Sequence, residues 1–174
     1  NLAEKSDIEK LIKNLEKFYF DTFIYFPGIF SNRKIVNTNS EDVIREINVN
    51  FNAAVIITSC VVKNMIKKRR GKLIYLGSSS SYQGFADSSV YCASKHALLG
   101  FSRSLSEELR SENIRVSCVS PGTVNTKMAE KLSINSDPRT FIDKNELSSF
   151  IYKLIYSDFT SFWQEEIIIK RRLY

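Results

Sequence analysis

Leu73-Ile74-Tyr75-Leu76-Gly77-Ser78 and, 13 positions beyond that serine, Tyr91-Cys92-Ala93-Ser94-Lys95 decide how this 174-residue chain reads. The first stretch opens with the short apolar run of a buried strand and delivers a hydroxyl, Ser78, at its C-terminal end. The second, placed on a helix, sets a phenol and an ammonium one turn apart on the same face. A tyrosine with a pKa of roughly 10 is a poor acid or base at neutral pH, and a neighbouring cation favours the phenolate and lowers that pKa. Tyr91 and Lys95 are therefore candidates for proton transfer, although such a spacing taken alone more often marks a surface contact.

Working outward, Ile114 to Val119 reads as a second strand that runs into Ser120-Pro121-Gly122-Thr123-Val124-Asn125-Thr126. In open parallel α/β sheets, ligands bind beyond the carboxyl ends of the strands, so this turn and Ser78 should face one crevice. Upstream, Ile8, Leu11, Ile12, Leu15, Phe18 and Tyr19 keep the period of a helix packed on a sheet. Residues 23–26 read as a strand ended by Pro27-Gly28. Asn39 or Ser40 can cap a long helix that opens with Glu41-Asp42, runs to about Arg70 and stops at Gly71. Ser88 or Ser89 can cap the helix that carries Tyr91 and continues through Leu109. A short helix from about Asn125, a polar loop around residues 135–139, a helix over about 145–156 and a last strand at residues 166–169 complete the pattern. The alternation predicts an α/β domain over 1–174, a doubly wound parallel sheet with helices on both faces.

These motifs resemble the short-chain dehydrogenase/reductase family, with its Rossmann-like sheet and NAD(P) dependence. Ser78, Tyr91 and Lys95 fall on the family's catalytic serine and its Tyr-x-x-x-Lys pair. Asn50, in Ile47-Asn48-Val49-Asn50-Phe51, falls on the helical asparagine that completes the tetrad. Pro121-Gly122 falls on the family's Pro-Gly turn, which makes Val124 and Thr126 the implied contacts to the nicotinamide carboxamide. Asn1-Leu2 matches the pair beside the adenine ring. Where the family has Asn-Asn-Ala-Gly, this chain has Tyr25-Phe26-Pro27-Gly28, keeping only Gly28 for close approach to the cofactor and losing the polar side chains that brace the central sheet. The match starts near the family's third strand, so the first two βα units, roughly 60 residues at about 30 per unit, are not among these residues. The six glycines contain no Gly-rich phosphate-binding arrangement. The strand at residues 23–26 is then expected to leave an apolar edge open.

The resemblance implies an NAD(P)-dependent oxidoreductase that interconverts a secondary alcohol and a ketone, either 3-oxoacyl reductase-like or acting on another small ketone, with NAD or NADP as cofactor. Tyr91 would exchange the proton, Ser78 would hydrogen-bond the substrate oxygen, and Lys95 would lower the Tyr91 pKa and bind the nicotinamide ribose. Asn50 would break its helix for a water relay. Tyr82 and Phe85, with Gln83, lie between Ser78 and Tyr91, and Met128, Leu132 and Ile134 follow the Pro-Gly turn; these suggest a partly apolar substrate. A homodimer or homotetramer is implied through the helices that begin near Ser40 and Ser88. The competing expectation is a truncated, non-catalytic domain of the same fold that serves as an interaction or oligomerisation module.

Composition narrows the classes. With 43% hydrophobic residues the chain can bury a real core. No unbroken run of about 18 apolar residues suggests a membrane span, and the charged N-terminus has no signal-like apolar region. Cys60, Cys92 and Cys118 are scattered in apolar segments, as reduced thiols of a cytoplasmic protein would be. The net charge of +6 is concentrated at Lys67-Lys68-Arg69-Arg70-Gly71-Lys72, where cations suit a helix C-terminus, and no aromatic interleaving points to nucleic acid. His96 points about 100° away from Lys95 on the helix and reads as structural. No metal-site spacing occurs.

Overall fold

The computed structural model describes residues 1–130, 137–157 and 161–172. Helix α1 (Lys5–Leu15) leads into strand β1 (Thr22–Tyr25). Helices α2 (Ser40–Ile47) and α3 (Ala53–Lys68) precede β2 (Gly71–Leu76), and α4 (Ser89–Leu109) precedes β3 (Ile114–Pro121). The short α5 (Lys127–Glu130), α6 (Lys144–Tyr156) and β4 (Glu166–Ile169) follow.

The four strands form one sheet in the order β1-β2-β3-β4, and every pair is parallel. Tyr25 sits opposite Tyr75, Leu76 opposite Val119 and Pro121 opposite Ile169. Alternate side chains leave opposite faces of the sheet. Tyr25, Leu73, Tyr75 and Val116 pack with Ile8, Ile57, Val61, Leu98 and Leu105, so α1, α3 and α4 cover one face. Ile74 and Val119 pack with Leu147, Ile151 and Leu154, so α6 covers the other. The expected doubly wound architecture is present, and it gathers the C-terminal ends of β2 and β3 at one crevice.

The long helix carries the local break that the resemblance implied at Asn50, and differs from the expectation at its C-terminal end. The helical run from Ser40 is interrupted at Asn48–Asn52 by a π-helical turn, which separates α2 from α3. Asn39 caps α2 as expected, its side chain accepting from the Asp42 N–H. Gly71 is not the stop: Arg69, at φ 49, supplies the left-handed residue that ends α3. Gly71 instead opens β2, where a Cβ would lie 2.5 Å from Met65 Sδ. Ser88 precedes α4 without capping it, because its hydroxyl donates to the Ala86 carbonyl. β1 begins and ends one residue earlier than expected, β3 reaches Pro121, and α5 starts at Lys127 because Asn125 N–H is taken by the Ile142 carbonyl.

By length and composition alone the continuous run Ser40–Lys68 is apolar enough to cross a membrane, contrary to the reading above. Half of its apolar window is buried against the sheet and α4, as in a core helix. Leu132, Ile134, Asn135, Leu173 and Tyr174 lie outside the described residues.

Candidate active site

Ser78 is fixed by a local turn at the end of β2. It stands in extended backbone at the head of a 3-10 turn over Ser79–Ser81, with its Oγ accepting from Ser80 N–H at 3.1 Å. Ser81 Oγ accepts in return from the Ser78 N–H at 3.1 Å. The residue before it has no room for a side chain: a Cβ on Gly77 would lie 2.3 Å from Ser120 Oγ and 2.9 Å from Cys118 Sγ. A lone glycine at a strand end is a signal of such close approach, which the motif reading passed over.

Helix α4 brings Tyr91 and Lys95 to the same crevice. The Lys95 ammonium is buried, 3% exposed, and donates to the Leu76 carbonyl at 2.8 Å. Burial lowers its pKa to about 8. Its Nζ lies 5.8 Å from the Tyr91 ring centroid. The Tyr91 phenol is shifted upward, chiefly by burial; the Ser78 hydroxyl opposes this through a hydrogen bond, and the Glu46 carboxylate adds to it. The expected lowering by Lys95 is not found in this arrangement: burial sets the direction, and the one lowering influence is the Ser78 hydroxyl.

Asn50 stands behind the cleft, fully buried in the π turn. Its Oδ1 accepts from Ile29 N–H at 2.8 Å, and its Nδ2 donates to the Ile29 carbonyl at 2.9 Å and to Ser94 Oγ at 3.0 Å. The neighbouring Val49 carbonyl accepts a 2.5 Å hydrogen bond from the Tyr25 hydroxyl. This corrects the expectation that Tyr25-Phe26-Pro27-Gly28 lacks polar bracing, since the tyrosine ties β1 to the interrupted helix. Gly28 carries bare backbone past this group: a Cβ there would sit 3.6 Å from Lys95 Nζ and 3.7 Å from Asn50 Oδ1.

The cleft so formed has a volume of about 520 Å³. Of the residues singled out in the sequence, Gly28, Ser78, Phe85, Tyr91, Lys95, Pro121, Gly122, Val124, Thr126 and Met128 line it. Asn1 and Leu2 do not: the Asn1 amino group pairs with Asp7, and Leu2 packs on the core under α3. Tyr82 turns away as well. Its hydroxyl donates to Glu166 Oε2 at 3.1 Å, beside the Arg103 ion pair, and its pKa is pushed up to about 12, first by burial and then by that carboxylate. Phe30 and Asn32, which no motif marked, line the cleft, and the Phe30 ring meets Tyr91 edge-on with centroids 4.7 Å apart.

His96, Arg69 and Lys72 have intramolecular partners. His96 Nδ1 bonds the Cys92 carbonyl at 2.8 Å, and the three cysteines are free and buried. In the basic cluster, Arg69 pairs with Glu112, and Lys72 donates to the Ile155 and Ser157 carbonyls. No group of His, Cys, Asp or Glu among the described residues could hold a metal ion.

Comparison with known proteins agrees with this geometry. The 3-oxoacyl-[acyl-carrier-protein] reductase of Bos taurus is 34% identical over 137 residues, covering 76% of this chain and 57% of its own length. The 3-oxoacyl-[acyl-carrier-protein] reductase FabG of Buchnera aphidicola subsp. Acyrthosiphon pisum is 35% identical over 135 residues, covering 76% and 55%. The chain thus spans a little over half the length of these curated relatives. Among solved structures, a 4-hydroxyisoleucine dehydrogenase complexed with NADH superimposes with a TM-score of 0.84 at 25% identity, over 98% of this chain and 77% of that one. The family model described as short chain dehydrogenase matches residues 1–137, and this chain belongs to that family.

Proposed function

We propose that the chain carries the proton-transfer site of an NAD(P)-dependent ketoreductase acting on a 3-oxoacyl or similar small ketone. The observation that carries this reading is the convergence of Ser78, Tyr91 and buried Lys95 in one cleft beyond the carboxyl end of β2. The relatives named as 3-oxoacyl-[acyl-carrier-protein] reductases and the NADH complex of the similar dehydrogenase support the substrate and cofactor classes.

The residues fit a nicotinamide nucleoside. Bare backbone at Gly28 leaves beside Lys95 and Asn50 a space that a Cβ would fill. Lys95 keeps ammonium donors beyond the one given to Leu76, enough to hold a ribose hydroxyl. Val124 and Thr126 border the same cleft and would hold the carboxamide. When bound, the reduced nicotinamide supplies the hydride that the carbonyl carbon accepts, or takes it back in the reverse direction.

The chain's own groups manage the proton and the charge. Burial keeps the Tyr91 phenol protonated at neutral pH, which suits a donor to the carbonyl oxygen in the reductive direction. Ser78 Oγ, held in its turn, donates to the same oxygen as negative charge grows on it. Lys95 titrates near pH 8 and is placed to return a proton toward Tyr91 once it has been spent. Asn50 holds the opening of the helix behind Lys95 that a relay water would use.

The same reading carries assembly as a homodimer or homotetramer, supported by exposed Ile56 and Ile66 on α3. It also carries a cytoplasmic location, supported by the free buried thiols. The test is to mix the full-length protein with NADH or NADPH and acetoacetyl-N-acetylcysteamine, a 3-oxoacyl thioester. Nicotinamide absorbance falls if the proposal holds. No oxidation with either nucleotide, on this thioester or on simple methyl ketones, would overturn it.

A further inference from the structure

Residues 28–33 follow β1 as an extended strap whose alternate residues do different things. Ile29 pairs through both backbone groups with the Asn50 amide. Ser31 is held by Glu46, whose carboxylate accepts from the Ser31 N–H at 3.4 Å and from its hydroxyl. Arg33 N–H donates to the Asp87 carbonyl at 2.6 Å, and its guanidinium pairs with Asp42. The residues between these anchors, Gly28, Phe30 and Asn32, face the cleft.

Glu46 is a buried acid, 2% exposed, on α2; it adds to the upward shift of the Tyr91 phenol and has no step of its own in the proton transfer described above. A carboxylate in that setting costs free energy unless hydrogen bonds compensate it. Here those bonds go to the strap. Because Ile29, Ser31 and Arg33 are all tethered, the Phe30 backbone is fixed at the cleft, and its ring packs edge-on against Tyr91 with centroids 4.7 Å apart. The face of the cleft next to the proton donor is therefore an aromatic wall whose backbone is anchored on both sides.

We propose that Phe30 is a specificity-determining residue that limits the smaller flank of the substrate carbonyl to an unbranched group, and that Glu46 is its positioning residue. This rests on the ketoreductase reading of the cleft. A ketone whose oxygen reaches Tyr91 lays one flank against the Phe30 ring, and a branch there meets a ring whose backbone the strap holds at the cleft wall.

The test uses the full-length protein with its nicotinamide nucleotide. It compares kcat/KM for acetoacetyl-N-acetylcysteamine with that for the analogue in which isopropyl replaces the terminal methyl. The wild type favours the methyl compound. Phe30→Ala, and to a smaller degree Phe30→Leu, shifts the ratio toward the branched compound by about tenfold or more, the range in which hydrophobic pockets discriminate by size. Glu46→Ala shifts it the same way by freeing the strap, and Glu46→Gln, which keeps a hydrogen-bonding oxygen, restores the wild-type ratio. An active wild type whose ratio is unchanged in both Phe30 variants overturns the assignment and leaves the reductase reading intact. A wild type that reduces neither thioester defeats the reductase reading, and the assignment falls with it.

Discussion

The Tyr25 hydroxyl donates a 2.5 Å hydrogen bond to the Val49 carbonyl, joining the end of β1 to the π turn that holds Asn50. A π turn moves its backbone bonds from the i to i−4 to the i to i−5 pattern, as the Ala53 N–H to the Asn48 carbonyl does here, and a carbonyl in it can still accept from an outside donor. Tyr25 supplies it from a position where the sequence otherwise departs from its family. Burial also drives this phenol well above its ordinary pKa, so it remains a donor across the working pH range.

Tyr25→Phe removes that donor and little else. We expect a loss of about 0.5–1.5 kcal/mol, the net contribution of one hydrogen bond. Denaturant unfolding of the full-length protein reads it. An unchanged midpoint would mean that the π turn is held by other contacts.

Gly77→Ala forces a methyl group to within 2.3 Å of Ser120 Oγ at the junction of β2 and the Ser78 turn. Overpacking of this kind costs about 1–3 kcal/mol and displaces neighbouring backbone. The variant should melt at lower temperature and lose turnover through misplacement of Ser78. A variant with wild-type Tm and rate would show that the two strand ends can separate freely.

Lys95 predicts a pH dependence of stability in the nucleotide-free protein. Its folded pKa of about 8 lies below the unfolded value of 10.5. Below about pH 8 both states are protonated, and the native state bears the full burial cost, on the order of 3 kcal/mol for a shift of this size. Between the two values the unfolded chain holds a proton that the native state has released, so stability rises with pH. Unfolding midpoints of wild type and Lys95→Met at about pH 7 and pH 10 isolate this group from the other titrating side chains. The wild type should gain on the variant as pH rises, and a constant difference would contradict the burial argument.

The alternation of strands and helices was legible because each element keeps one hydrophobic period, and Glu166–Ile169 was read to the residue. The meeting of Ser78, Tyr91 and Lys95 at one cleft was legible because the family resemblance marked all three and local geometry at α4 and the end of β2 brings them together. The break at Asn48–Asn52 was legible only through the family resemblance at Asn50, since a π turn barely disturbs the apolar pattern and its Val49 carbonyl is bonded by Tyr25, which is distant in sequence. The stop at Gly71 was misread because Arg69 takes the left-handed conformation that glycine was expected to take. Tyr82 was assigned to the cleft on proximity to Ser78, and its actual partner, Glu166, lies on β4. Phe30 carries no local signal, because its direction follows from the anchors at Asn50, Glu46 and Asp87.

The most direct measurement is turnover and nucleotide binding by full-length Tyr91→Phe beside the wild type, with NADH or NADPH and acetoacetyl-N-acetylcysteamine. The substitution removes one hydroxyl and keeps the ring against Phe30. The account predicts that reduction falls by at least about a hundredfold, as expected for loss of a positioned proton donor, while nucleotide affinity stays within a fewfold of wild type. Reduction by the variant at the wild-type rate would contradict the assignment of Tyr91 as the proton donor.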